Sequence, residues 1–364
     1  MEKKNIVFIY NGHISNYPPF LSLLDYLIET SNYELTVIAS EYESSTQKVY
    51  EEQGVKIISL YHLEPKRGLL SRIRNKIKKE FFLFFKFEKL LRSVKCDILW
   101  IIGERTTVAL GKKLLNKKFI QTVYELNDIR PKMLKQMAPA TKAAYVNVAC
   151  EYNRSQIMRA WFNLKDTPVV LPNKPYFHPR RRNIECQYSK LLEGKKIILY
   201  QGHIIEERNL DGICEASLRL KDYCLVLMGG GSSYREFLKE KYPSVLFIDH
   251  VLPPHHLDIT SYASIGVVTY SPTTLNNIYC APNKIWEYGG FGIPMLANDI
   301  PGLHYTVEDS GAGLCIDMDD PDEIVDAVNT IDRKYDLYSK KAQEMYNSVD
   351  LGAIINNIIK KYNE

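Results

Sequence analysis

Short apolar runs that end in turn residues alternate with amphipathic stretches along the whole chain, and this alternation narrows the fold more than any other feature. "NIVFIY" (Asn5–Tyr10) is followed by "PPFLSLLDYLIET", whose apolar residues recur at helical spacing; "YELTVIAS", "VKIISL", "DILWII" and "KFIQTVYEL" come next. Strands that are apolar on both faces must be covered on both faces, which predicts a parallel sheet between layers of helices. The series breaks at "VVLPNKPYFHPRRR", where Pro172, Pro175 and Pro179 oppose a helix and predict a linker. A second series then starts: "KKIILYQG", "YCLVLMGGG", "SVLFIDHV", "ASIGVVTY", "IPMLAND" and "GAGLCID". Helical stretches such as "NLDGICEASLRL" and "SSYREFLKEKY" lie between them. A chain of 364 residues is also longer than one hydrophobic core usually serves. The expectation is two Rossmann-like, doubly wound α/β domains, residues 1–175 and 190–345. The last segment, 351–364, reads as an amphipathic helix that either closes the second domain or crosses back to the first.

Bulk properties exclude several classes. A net charge of +4 is too mild to argue for nucleic acid, and 45% hydrophobic with 25% charged residues is ordinary for a soluble protein. The seven cysteines are scattered without a C-x-x-C pair, which fits reduced thiols rather than a disulfide framework or a zinc site. The first apolar run is too short for a signal peptide, and no stretch approaches the roughly 20 apolar residues of a membrane span. A cytoplasmic protein, or one resting on a membrane surface, is expected.

In open parallel sheets ligands bind outside the carboxyl ends of the strands, and paired domains form a cleft there. The second series carries its chemistry at such places. Gly202 follows "IILYQ", and Arg208 stands at the entrance of the next helical run, where an arginine suits a diphosphate. Gly229, Gly230 and Gly231 follow "CLVLM", a loop able to approach a ring or phosphate without side-chain clash. His250 and Val251 follow "VLFID", where backbone is available to a base. "YCAPNKIWEYGGFGIP" then places Pro282, Asn283 and Lys284 at a helix start, with the positive end of the helix dipole, and Glu287 one turn further in. Each element alone has a plain reading as a turn, a solvated lysine or a surface glutamate. Together, at four strand ends of one sheet, they favour a nucleotide-diphosphate site. No P-loop and no G-x-G-x-x-G follow a strand, so a P-loop enzyme and a dinucleotide dehydrogenase are disfavoured.

"ILYQGHIIEERNLDGI", "LVLMGGG", "FIDHV" and "PNKIWEYGGFGIPMLANDIPGL" resemble, in order and spacing, the donor half of glycosyltransferase family 4, of the GT-B fold. The resemblance covers about residues 195–330 well and the first half more loosely. It implies two Rossmann-like domains facing a central cleft, and a nucleotide-diphosphate sugar, with a UDP-sugar favoured, used without a metal or other cofactor. Arg208 matches the diphosphate-binding cation, Glu287 the ribose-binding glutamate and Gly202 the first-loop glycine; His250 and Val251 match the segment that meets the base. Two departures stand out. The family often has a second glutamate eight positions before the first, and Tyr279 stands there, with Asn276, Asn277 or backbone N–H groups as substitutes. The position after the first-loop glycine holds His203 rather than arginine, which leaves the phosphate charge to Arg208 and Lys284.

In the first series, "FIYNGHISNYPPF" puts Asn11, Gly12 and His13 straight after the first strand. The resemblance places that loop near the donor phosphates and the acceptor, with His13 either a base or a polar loop residue. "TVYELNDIRP" ends another strand in Asn127 and Asp128, where the family often has histidine before the aspartate. Their alternative role is an Asx-type turn that starts the next helix. The resemblance implies transfer with retention at the anomeric carbon.

Finally, "PKRGLLSRIRNKIKKEFFLFFKFEKLLRSV" sets Leu70, Ile73, Ile77, Phe81 and Phe84 at helical spacing among Lys66, Arg67, Arg72, Arg74, Lys76, Lys78 and Lys79. A basic helix around 66–92 with an aromatic face suits an anionic membrane surface; its alternative is a helix packed on the sheet with solvated charges. The expected protein is a peripheral glycosyltransferase on the inner face of the cell membrane, acting on a glycan or lipid-linked acceptor in bacterial-type surface polysaccharide synthesis. A sugar-nucleotide epimerase and a non-catalytic nucleotide-sugar-binding subunit are the alternatives.

Overall fold

Phe8 packs against Phe20 and Trp100, with ring centroids 5.3 and 5.6 Å away, and these three rings anchor the first of two sheets. The structure, a computed structural model, describes residues 3–39, 45–60 and 84–364. The chain divides into two compact units: residues Met1–Tyr176 with Leu351–Glu364, and residues Phe177–Asp350.

Unit 1 holds strands β1 (Lys4–Tyr10), β2 (Tyr33–Ala39), β3 (Lys56–Ser59), β4 (Ile98–Ile102), β5 (Ile120–Val123), β6 (Val146–Ala149) and β7 (Val169–Val170). They pair in parallel in the order β3-β2-β1-β4-β5-β6-β7. The run Ile6–Ile9 is fully buried, as is Trp100–Ile102, because helices cover both faces. Trp100 Nε1 donates to Thr122 Oγ1 at 2.8 Å, so the one polar atom of that ring is satisfied inside the core. The helix Pro18–Thr30 starts on two prolines, buries Phe20, Leu23, Leu24 and Leu27, and ends at Ser31 in the left-handed region.

The C-terminal helix Leu351–Asn363 belongs to unit 1, although it follows unit 2 in the chain. It buries Leu351, Ile355, Ile358, Ile359 and Tyr362. Tyr362 Oη donates to the Lys118 carbonyl at 3.0 Å, and Lys118 Nζ lies over the rings of Tyr145 and Tyr362.

Unit 2 holds β8 (Lys196–Gln201), β9 (Tyr223–Met228), β10 (Leu246–Ile248), β11 (Ile265–Val268), β12 (Met295–Asn298) and β13 (Gly313–Ile316). They are parallel in the order β10-β9-β8-β11-β12-β13. In each sheet the winding direction reverses once, between β1 and β4 in unit 1 and between β8 and β11 in unit 2. A crevice opens at such reversals because the connections leave to opposite faces.

Most of the basic segment, residues 61–83, lies outside the described residues. Residues 84–92 are helical, with Phe87 buried in the unit 1 core and Phe84 beneath Lys113 Nζ at 4.5 Å. Among the described residues no helix is long and apolar enough to cross a membrane.

Candidate functional site

The loops after β8 and β9 are built against each other through backbone. Gly202 N donates to Met228 O and Ile204 N to Gly230 O, both at 2.9 Å. Gly229 adopts φ +153°, and a Cβ there would sit 1.8 Å from the Gly202 carbonyl oxygen. Gly229 therefore joins the two loops, whereas Gly230 has open space, its nearest neighbour being His250 Cβ at 3.9 Å. Gly202 has φ +140° and leaves room for Lys284 Nζ, which would lie 3.2 Å from an added Cβ.

Lys284 enters from the helix Asn283–Phe291, whose N-cap is Pro282 and whose first residue is Asn283. Pro282 thus stands one position outside the first turn that its sequence context suggested. Lys284 is only 8% exposed, and its ammonium lies 4.2 Å from the Tyr200 ring and 5.7 Å from the Tyr270 ring. Arg208 closes the 3-10 turn Glu206–Arg208, three residues before the helix Asp211–Ser217, so it precedes that helix rather than starting it. Its guanidinium stacks on Tyr270 at 3.9 Å, and its Nη1 is buried without a hydrogen-bond partner. Tyr200 is the last residue but one of β8 and Tyr270 follows β11, so both cations gather at the reversal point of the sheet. Burial, and then the neighbouring Arg208 charge, bring the Lys284 pKa down to about 7. Two cations thus gather here, Lys284 buried and Arg208 half-buried with one donor unused, an arrangement able to hold an anion.

Glu287, one turn along the same helix, is 8% exposed. Its Oε1 lies 3.1 Å from His256 Nε2, and its Oε2 accepts from Gln201 Nε2. Gln201 Oε1 in turn accepts from Thr260 Oγ1 at 2.6 Å. His178 Nε2 lies 2.9 Å from the Glu287 carbonyl oxygen. Burial pushes the Glu287 carboxyl up, but His256, Lys284 and His178 outweigh it and hold the pKa below its usual value. Burial likewise opposes the His256 imidazolium, yet Glu287 and Asp258 raise its pKa overall. Glu287 is therefore an ionised carboxylate fixed by two side chains. His256 Nδ1 is buried without a partner.

Of the remaining residues expected at this site, His250 is exposed and Val251 half-buried just beyond β10, where Val251 packs on the unit 2 core. Tyr279 caps the helix Leu275–Ile278, and its Cα would touch a Cβ on Gly302 at 2.9 Å. Its neighbour Asn277 donates to the Ser271 carbonyl.

In unit 1, Gly12 and His13 follow β1, with Asn11 N donating to Thr106 Oγ1 at 2.9 Å. Asn127 is buried at φ +57°; its side chain donates to Glu125 O, and its carbonyl accepts from Arg130 N at 2.8 Å. Asn127 and Asp128 thus lie in a turn before the helix Pro131–Ala143 that backbone closes, with the Asn127 side chain donating backward rather than accepting as in an Asx turn.

Gln201, His256, His178 and Thr260 were not singled out by the sequence, and neither was Glu104 of unit 1. Gln201 did leave a signal, as the one polar residue ending the apolar strand "KIILYQ". One further cluster, His304, Glu308 and Cys315, brings possible metal-ligand atoms within 4.8 Å of one another. There His304 Nδ1 lies 3.2 Å from Asp299, and Glu308 accepts from the Cys315 N–H, so these groups already engage protein partners.

Residues 195–332, most of unit 2, match the family model described as Glycosyl transferases group 1. No match is found among curated proteins. Among solved structures, sucrose-phosphate synthase from Thermosynechococcus elongatus superposes with a TM-score of 0.73 at 15% identity, covering 99% of this chain and 98% of that one. Anabaena HepE in complex with UDP and glucose gives 0.71 at 12% identity, covering 99% of both chains. A putative UDP-N-acetylglucosamine 2-epimerase from Listeria monocytogenes gives 0.69 at 13% identity, covering 98% of this chain and 95% of that one. The architecture is the GT-B fold.

Proposed function

We propose that this protein is a retaining glycosyltransferase that moves a sugar from a nucleotide-diphosphate donor to a glycan or lipid-linked acceptor. The observation that carries the reading is the pair Lys284 and Arg208, stacked on Tyr200 and Tyr270 at the reversal point of the unit 2 sheet, one helical turn from ionised Glu287. A UDP-sugar is the favoured donor, in keeping with the UDP held by the HepE relative.

In this reading Glu287 accepts the ribose hydroxyls, and Gly230, His250 and Val251 border the base. Arg208 and Lys284 stabilise the departing diphosphate. The acceptor oxygen bonds to the anomeric carbon on the face from which the phosphate oxygen leaves, and the acceptor proton passes to that phosphate oxygen. Fixed cations in a dry site stabilise the developing charge without reorganisation, an effect worth about 3 kcal/mol per well-aimed donor. No protein nucleophile and no metal take part in the step.

A thermal-shift screen of nucleotide sugars identifies the donor, because a ligand that binds only the native state raises the melting temperature. Release of nucleoside diphosphate in the presence of candidate acceptors then tests transfer. Nucleotide binding without release under any acceptor would favour a binding subunit instead. The Listeria relative gives an epimerase a specific claim as the second reading. Conversion of a nucleotide sugar with no acceptor present would establish it.

The role in surface polysaccharide synthesis, on the inner membrane face, rests on the basic segment around 66–92. Replacing Lys76, Lys78 and Lys79 should reduce co-sedimentation with anionic vesicles. Unchanged sedimentation would refute the membrane role.

A further inference from the structure

At the carboxyl edge of the unit 1 sheet, the residue that opens the helix after β4 is a buried acid. Glu104 is 7% exposed, and its Oε1 accepts the backbone N–H groups of Tyr124 and Glu125, the latter at 2.8 Å. The other side of the Tyr124 peptide is held as well. Its carbonyl accepts from Arg154 Nη1 and lies 3.4 Å from Cys150 Sγ. Arg154 is itself 5% exposed, and its N–H is capped by Glu151 at 2.9 Å. One peptide unit is thus gripped by a buried acid on one side and a buried base on the other, and from it runs the turn that carries Asn127 and Asp128.

The placement is as informative as the bonds. β4 lies between β1 and β5, so the helix Glu104–Leu110 begins at the reversal point of the unit 1 sheet. From there Thr106 Oγ1 accepts the Asn11 N–H, while Glu104 accepts those of Tyr124 and Glu125. A single turn of helix therefore fixes both strand-end loops of this edge, the one after β1 and the one after β5. Nothing in the fold requires an acid for this: a glutamine, or water, satisfies two amides at a lower desolvation cost.

We propose that Glu104 is a positioning residue whose buried carboxyl, while protonated, holds the 124–130 loop in its transfer-competent geometry, so that its ionisation releases the loop and gates the transfer step. The protonated carboxyl accepts from both amides through one oxygen without burying a charge; the ionised form is favoured where water reaches it, so losing the proton to solvent shifts the loop towards release. The groups that face it are Tyr17, Tyr124, Glu125 and Cys150, with Tyr10 beside Tyr17 and Arg154 across the Tyr124 peptide. Burial and then Glu125 raise the Glu104 pKa to about 7 against the pull of the two amides, which puts the transition where it is useful.

The kinetic consequence rests on the sugar-transfer reading, whereas the structural one does not, so two measurements are needed. The first is the protection of the Tyr124 and Glu125 amides against hydrogen exchange, corrected for intrinsic rates, in the wild-type protein and in Glu104→Gln. Protection in the wild type should fall between about pH 6 and about pH 8, and in the variant it should be flat. Equal protection at both pH values in the wild type would overturn the proposal, whether or not transfer has been observed. The second is kcat against pH with an acceptor that turns over. Wild-type kcat should fall by up to roughly tenfold per pH unit above its midpoint, and Glu104→Gln should flatten the profile while leaving donor KM within about twofold. A variant that keeps the wild-type midpoint would overturn the gating role.

Discussion

Lys284 rests its ammonium 4.2 Å from the centre of the Tyr200 ring, in the space that a side chain on Gly202 would occupy. Its lowered pKa of about 7 means that it is partly neutral in slightly alkaline solution. A diphosphate bound there would favour the ammonium, so nucleotide binding at about pH 8 should take up a proton. Affinity should be level below about pH 7 and fall as pH rises above it. Calorimetry in buffers of different ionisation enthalpy measures the uptake directly, and Lys284→Met should abolish it. Uptake that persists in the variant would place the proton elsewhere.

The His256–Glu287 pair makes a stability prediction whose sign follows from the two shifts. The raised His256 pKa gives stabilisation that is full below the unfolded value, about 6.5, and lost as pH rises through the folded value. The lowered Glu287 pKa gives stabilisation present above about 4.5 and lost as pH falls through its folded value. The pair is therefore strongest in mildly acidic solution. His256→Ala should cost about 3–5 kcal/mol there, with a smaller gap at alkaline pH. Denaturant titrations at the two pH values check this; a gap that widens with pH would contradict it.

Gly229 and Gly230 should respond differently to the same change. Gly229→Ala drives a Cβ into the Gly202 carbonyl at a backbone angle that only glycine adopts readily, and should cost about 1–3 kcal/mol. Gly230→Ala meets only His250 Cβ at contact distance, and should shift stability by less than about 0.5 kcal/mol. Thermal melts of the two variants distinguish a loop-joining glycine from an open one. Similar losses in both would refute the assignment.

Glu104 should cost the fold stability as it ionises. With its folded pKa raised to about 7, the penalty is absent below the unfolded value of about 4.5, grows as pH rises, and levels off above about 7. Glu104→Gln should therefore gain on the wild type across that window, by up to about 3 kcal/mol. Chemical denaturation of both proteins at the two ends of the window reads the difference. A gap that shrinks as pH rises would show that the carboxyl is not held in a raised state.

The two sheets were legible because buried parallel strands leave continuous apolar runs, as in "NIVFIY" and "KIILYQ", and such runs survive in any single sequence. The strand-end glycines and the start at Pro282–Lys284 were legible for the same local reason. The partners of Glu287 were not. Gln201 stands 86 residues away and His256 31, and no spacing rule links residues that meet only across a sheet. Arg208 was read as a cation at a helix start and instead stands three residues before the helix; its partner Tyr270 follows a different strand, so the stacked pair with Lys284 became visible only in three dimensions. Glu104 left a faint signal, an acid directly after "ILWIIG". The sequence could not show that its oxygen reaches the amides of a neighbouring strand end.

The central claim is that unit 2 holds a nucleoside diphosphate between Arg208, Lys284 and Glu287. Titration calorimetry with the nucleoside diphosphate that stabilises the protein most tests it directly, in the wild type, Arg208→Ala and Glu287→Ala. Each variant should lose about 1.5–3 kcal/mol of binding, roughly a ten- to hundred-fold weakening. Wild-type affinity in both variants would contradict the account.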